Sequence, residues 1–194
     1  MADNLSPDDA LQRLLDGNKR HVSGSYLRPH QSPARRIEVA DTQRPFAIVF
    51  GCSDSRVPPE IVFDQGLGDL FVVRTAGHVL DSAALASIAF GVEHAGCRLV
   101  MVLGHRNCGA VSAVVEGHVP AYLAHVADAM QPVLKRVKLQ PSALLDNAIR
   151  LHTGMTVQAL RAAEPVLSKA EREGVVRVVG AYYDLCDGGV SILE

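Results

Sequence analysis

Two short segments concentrate the side chains best able to do chemistry: Cys52-Ser53-Asp54-Ser55-Arg56 and His105-Arg106-Asn107-Cys108-Gly109. Zinc favours tetrahedral coordination by thiolate sulfur and imidazole nitrogen. His-x-x-Cys lets two ligands from one tight loop face the same ion, and Cys52 can complete a set of three. Two thiolates balance the ion's positive charge and leave a fourth position for water or for Asp54. Three protein ligands with one open position mark a catalytic rather than a structural zinc. Each motif alone is weak. A cysteine after an apolar strand is more often core than ligand, Asp54 and Arg56 suit a surface ion pair, and His105 suits a loop.

The elements that must position these residues give them weight. Four short apolar runs, Phe46–Phe50, Leu70–Val73, Leu99–Leu103 and Val175–Tyr183, read as strands buried on both faces, as in a parallel sheet. The first ends at Gly51-Cys52, the second at Arg74 and the third at Gly104-His105. Helical patterns lie between several of them, most clearly from Asp81 as N-cap to Gly96 just past the end. The pattern predicts an α/β fold with a mainly parallel sheet flanked by helices. Sites in such sheets form outside the carboxyl ends of the strands. If the first and third strands are neighbours, both motifs meet at one edge. Asp187-Gly188-Gly189 is a hairpin signal, so Val190–Leu193 adds an antiparallel edge strand. The region from Val119 to about Gly174 reads as mostly helical, with Pro132, Pro141 and Pro165 marking starts or kinks. Ser6-Pro7-Asp8-Asp9 and Ser32-Pro33 start two helices in a peripheral arm. The chain thus reads as one domain over 1–194, with a helical arm over 1–44 and an α/β core over 45–194.

With 194 residues, one domain is the default and can bury a core without disulfide staples. A net charge near −2 argues against nucleic acid. No stretch approaches the ~18–20 apolar residues of a membrane helix, and the start lacks a basic, apolar leader, so the expected place is the cytoplasm with no membrane partner. There the four cysteines are expected free: Cys52 and Cys108 as ligands, Cys97 and Cys186 as core.

These residues resemble the β-class carbonic anhydrases. The match rests on Gly51-Cys52-Ser53-Asp54-Ser55-Arg56, on Gly104-His105-Arg106-Asn107-Cys108-Gly109, and on Gly68-Asp69-Leu70-Phe71-Val72-Val73-Arg74-Thr75-Ala76-Gly77 between them, and it spans about residues 10 to 190. The resemblance implies four parallel strands plus an antiparallel one, and one Zn(2+) per chain on Cys52, His105 and Cys108. It further implies an Asp54–Arg56 dyad, reversible hydration of carbon dioxide to bicarbonate, and a homodimer or homotetramer with the cleft at the subunit interface. In some members the aspartate moves onto zinc at lower pH and closes the site, a role that would fall to Asp54. The chain departs from the family at several places. Thr75 and His78 stand where many members have Asn, and Arg106 stands where a smaller residue is usual. Gly66, beside Gln65, takes the place of a partner-subunit Gln, and Val49 that of a regulatory-pocket Trp.

The expected mechanism has zinc-bound hydroxide attacking carbon dioxide, oriented by Asp54, with Arg56 holding the carboxylate off the metal. Two thiolates make the metal a weaker acid than three imidazoles would, so activity should rise from neutral pH to about 8 and above. Val57 and Gly109 are the expected cleft residues, Gly109 giving close backbone approach as a helix begins at Ala110. Val79 is a further cleft candidate, and Val57 and Val79 are equally candidates for ordinary core. His78 is a candidate proton shuttle, with a structural histidine the stronger reading. Three rivals stay open: a carbonyl sulfide or carbon disulfide hydrolase on the same ligands, a non-catalytic zinc-binding protein, and a thiol redox protein using Cys52 and Cys108.

Overall fold

The computed structural model describes residues 4–137 and 143–193. Its elements run α1 (Pro7–Ser23), α2 (Pro33–Glu38), β1 (Ala47–Cys52), α3 (Pro59–Val62), β2 (Leu70–Thr75), α4 (Ser82–Glu93), β3 (Leu99–His105), α5 (Gly109–Val115), α6 (Ala124–Arg136), α7 (Leu144–Arg161), α8 (Val166–Arg172), β4 (Arg177–Tyr183) and β5 (Val190–Leu193). Short 3-10 turns at Ala76–His78 and Ala121–Leu123 complete the chain. The strands form one sheet in the order β2-β1-β3-β4-β5, parallel except for the β4–β5 pair. This is the expected α/β architecture.

Alternation along the strands builds two core layers. Val49, Met101 and Leu103 face α1, where Ala10 and Leu14 are buried. Ile48, Phe50, Val100, Val102 and Val178 face the opposite way, toward Ile88 of α4, Leu160 of α7 and Leu167 of α8. A third cluster, around Val111, Met130 and Ile149, packs α5, α6 and α7 together beyond the strand ends.

Helix starts follow the capping chemistry read from the sequence. Ser6 Oγ accepts from the Asp9 N–H, Ser32 Oγ from the Arg35 N–H, and an Asp81 carboxylate oxygen from the Ala84 N–H. Gly24, at φ 71°, closes α1 in the left-handed conformation that glycine adopts without a Cβ clash.

Three expectations need correction or delimiting. β1 and β3 are buried throughout, but β2 is an edge strand and mostly half-buried. Its apolar run still touches both layers, Leu70 on the α1 side and Phe71 and Val73 on the other, but the open edge leaves it half-exposed. Pro132 neither starts nor ends a helix; it lies inside α6. Pro165, by contrast, immediately precedes α8, and Pro141 lies outside the described residues. The β4–β5 turn does fall at the glycine pair, but Tyr183 faces Val190, so the loop has six residues, 184–189, stitched by Asp184 N–H to Gly189 O and Gly188 N–H to Asp184 O.

Candidate metal centre

β1 and β3 are direct neighbours, with Gly51 opposite Leu103, so their carboxyl ends lie side by side. Cys52 is the last residue of β1 and His105 the last of β3, and Cys108 caps the amino end of α5. The donor atoms of Cys52, His105 and Cys108 all lie within 4.8 Å of one another, and all three residues are buried. The sulfurs are 3.8 Å apart.

The donor set fits a zinc ion on two grounds. Two sulfurs bound at ~2.3 Å with a tetrahedral angle between them stand about 3.8 Å apart, which is the separation observed. His105 Nδ1–H donates to the Arg106 carbonyl at 2.9 Å, so the lone pair lies on Nε2. That Nε2 is buried and has no hydrogen-bond partner. A buried acceptor without a partner costs free energy, and a cation in the pocket satisfies it.

The electrostatics also favour a cation. The Cys52 thiol is brought down to about 4, first by the Cys108 thiol that donates to it and further by backbone N–H groups, which together outweigh burial. Cys108 is pushed up by its bond to Cys52 and by burial. The pair therefore gives up one proton readily and clings to the second until a positive charge replaces it.

Asp54 and Arg56 form a two-point pair, with Arg56 Nε donating to Oδ1 at 2.9 Å and Nη2 to Oδ2 at 2.7 Å. The Arg56 backbone N–H also donates to Oδ1. The guanidinium holds the Asp54 carboxyl down to about 2. Arg56 Nη2 reaches the Asn107 carbonyl at 3.2 Å, tying the first motif to the second. Asp54 Oδ2 lies 3.9 Å from His105 Nε2, at the edge of the donor cluster.

Other residues depart from expectation. Val57 is 1% exposed and packs in the α1-side core, so it does not line an open cleft. Gly109 is exposed, a Cβ there would meet nothing within 4 Å, and α5 begins at Gly109 itself rather than at Ala110. Its hydrogen atom in place of a side chain serves no close approach. Val79 lines a cavity of about 410 Å³ with Thr75, Ala76, Leu123 and Val126. His78 is fully buried, which removes it as a carrier of protons to buffer. Cys97 is core, as expected, but Cys186 is exposed on the β4–β5 loop. Arg106 pairs with Asp184 at 3.1 Å, and Gln65 Nε2 donates to the Phe63 carbonyl. Arg74 is a positioning residue that sequence reasoning missed: its guanidinium donates to the carbonyls of Cys52 and Asp54, holding the first motif in shape. Its signal was register, since an arginine opposite Gly51 at a strand end faces the loop that follows Cys52.

Comparisons with known proteins agree with this geometry. A family profile described as carbonic anhydrase matches residues 47–190. A carbonic anhydrase of Mycolicibacterium smegmatis is 41% identical over 194 residues, covering 97% of this chain and 94% of the relative. Carbonic anhydrase 2 of Mycobacterium tuberculosis is 41% identical over 190 residues, covering 95% of this chain and 92% of the relative. Among solved structures, a β-carbonic anhydrase of Aspergillus fumigatus superposes with a TM-score of 0.76 at 26% identity, covering 84% of this chain and 81% of its own.

Proposed function

The chain belongs to the β-class carbonic anhydrases, and from that premise we propose that it hydrates carbon dioxide reversibly at one zinc ion per chain, held by Cys52, His105 and Cys108. The observation that carries the ligand assignment is the buried trio itself, with its unpaired His105 Nε2 and its two sulfurs 3.8 Å apart. When bound, zinc supplies the Lewis acidity that lets water deliver hydroxide near neutral pH.

The chain's own residues do the rest. Asp54, held ionised by Arg56, is an acceptor only. At the edge of the donor cluster it takes the O–H of the attacking oxygen and so turns that oxygen's free lone pair toward the carbon of carbon dioxide. Arg56 grips both carboxylate oxygens, which keeps Asp54 in that acceptor role and out of the ligand set. If this grip is lost, Asp54 becomes a fourth ligand and the site closes. Arg74 holds the carbonyls on either side of Ser53, fixing where Cys52 and Asp54 point relative to each other. The bond formed joins water's oxygen to carbon, and the proton released leaves to buffer.

The whole chain acts as one unit, with residues 1–44 as arm and 45–194 as core. We place it in the cytoplasm; among the described residues no helix is long and apolar enough to cross a membrane. Ile61, Leu67 and Phe90 remain exposed, which favours a homo-oligomer, dimer or tetramer, that covers apolar surface. The test is zinc content together with carbon dioxide hydration measured across pH, with carbonyl sulfide and carbon disulfide as control substrates. The reading expects one zinc per chain and hydration that strengthens from neutral pH to about 8 and above. Hydrolysis of the sulfur compounds with no hydration would reject it.

A further inference from the structure

Behind Cys52 lies a buried polar layer to which the chemistry above gives no part. The Gly77 N–H donates to Cys52 Sγ at 3.3 Å. The Gly77 carbonyl in turn faces His152 Nε2 of α7 at 3.0 Å. A carbonyl only accepts, so His152 carries its proton on Nε2 and donates. The two peptide groups that flank the Gly77 Cα thus link a helix residue 75 positions away in sequence to a sulfur of the donor trio.

The turn that carries this link is held in an unfavourable shape. Gly77 has φ 61° and His78 has φ 45°, two successive left-handed residues. Glycine adopts that conformation freely, but histidine does so only where its surroundings hold it. The holding groups come from α7. The rings of His152 and His78 stack with centroids 4.5 Å apart. The Thr153 hydroxyl donates to the Ile149 carbonyl at 2.9 Å and so accepts from His78 Nε2 at 3.3 Å. α7 comes this close because Gly104, just before His105, has no side chain: a Cβ there would stand 2.3 Å from Thr153 Oγ1.

We propose that His152 is a positioning residue which, by fixing the left-handed turn at Gly77, aims a hydrogen-bond donor at Cys52 Sγ and so sets how much charge that sulfur gives to a bound metal. The inference rests on the reading of Cys52 as a ligand. An N–H directed at a thiolate draws electron density from sulfur, lowers its donation and leaves the ion a stronger Lewis acid. Without His152 the Gly77 carbonyl loses its donor, the left-handed turn at Gly77 relaxes, and the Gly77 N–H drifts off the sulfur.

The test uses the full chain with cobalt(II) in place of zinc, comparing wild type, Cys52→Ala, His152→Phe and His152→Gln. His152→Phe keeps a ring against His78 but removes the donor, whereas His152→Gln keeps an N–H donor. The expected result is a thiolate-to-cobalt absorption band that weakens in Cys52→Ala and shifts to longer wavelength in His152→Phe. His152→Gln should return the band to its wild-type position. A His152→Phe protein with the wild-type band overturns the inference, as does a shift that His152→Gln leaves in place. If the wild-type band does not respond to Cys52→Ala, the ligand assignment itself fails. One further measurement needs no variant that could misfold: in the wild-type protein loaded with spin-active cadmium, the Gly77 amide proton should show through-bond coupling to the metal. Absence of that coupling also overturns the inference.

Discussion

The two ends of the sheet each bury a cysteine, and they treat it in opposite ways. At the amino end of β3, Cys97 is 1% exposed and donates to the Pro45 carbonyl at 3.3 Å. Burial pushes its thiol up to about 12. At the carboxyl ends, Cys52 is 5% exposed, yet its thiol falls to about 4. The difference lies in which dipoles surround the sulfur. Cys97 faces a carbonyl oxygen, which holds its proton in place. Cys52 faces a second thiol and the Gly77 N–H, which donate to it and stabilise a thiolate. Cavity size does not track ligation: a cavity of about 650 Å³ lies beside Cys97 and Arg98 and is lined by none of the donor trio. Burial and volume thus do not make a ligand; converging donors do.

The strongest challenge to this contrast is to remove a donor at each end. Cys52→Ala should lose zinc, and carbon dioxide hydration should drop to the uncatalysed background, whereas Cys97→Ala should keep both. Metal analysis and stopped-flow hydration on the two variants decide it. Next in size, Arg56→Ala should retain zinc but lose activity, because Asp54 is then free to occupy the open position. An Arg56→Ala enzyme with wild-type turnover would remove the dyad from the account. Asp54→Asn should lower hydration by about 10²–10⁴-fold, the range of a lost proton-handling group. Turnover with metal content held constant measures it.

Two smaller effects sharpen the contrast. In native protein, a soluble alkylating reagent should label Cys186 first and Cys97 only on unfolding, as peptide mass mapping would reveal. The second concerns acid stability. The ordinary carboxyl value of 3.8 is lowered to about 2 in Asp54 by the pairing with Arg56. A lowered value stabilises the fold above pH ~4, and that contribution disappears as pH falls through about 2. The Arg56 side chain is half exposed and its charge is screened by water, so the difference in thermal midpoint between wild type and Arg56→Ala should be small at pH 5 and vanish near pH 2. A difference that grows in acid would contradict the sign.

Sequence was informative where the chemistry is local. Apolar runs located the strands, serine and aspartate caps located helix starts, and the polar residues just after β1 and β3 located the site. Features that depend on packing between distant segments were not legible. Arg74 matters because β2 registers it beside Gly51. His152 matters because Gly104 lets α7 close on β3. Cys97 and Cys186 look alike as lone cysteines, and only tertiary placement buries one and exposes the other. Val57 packs in the core, one of the two readings its sequence left open, because adjacency to a motif does not say which way a residue faces.

The central claim is that two loops far apart in sequence grip one zinc through sulfur, nitrogen and sulfur. X-ray absorption at the zinc edge of the purified protein tests it most directly. The account predicts one zinc per chain with two sulfur neighbours at ~2.3 Å and a nitrogen at about 2.0–2.1 Å. A zinc shell made of oxygen and nitrogen alone, or a protein that binds no zinc when supplied with it, would contradict it.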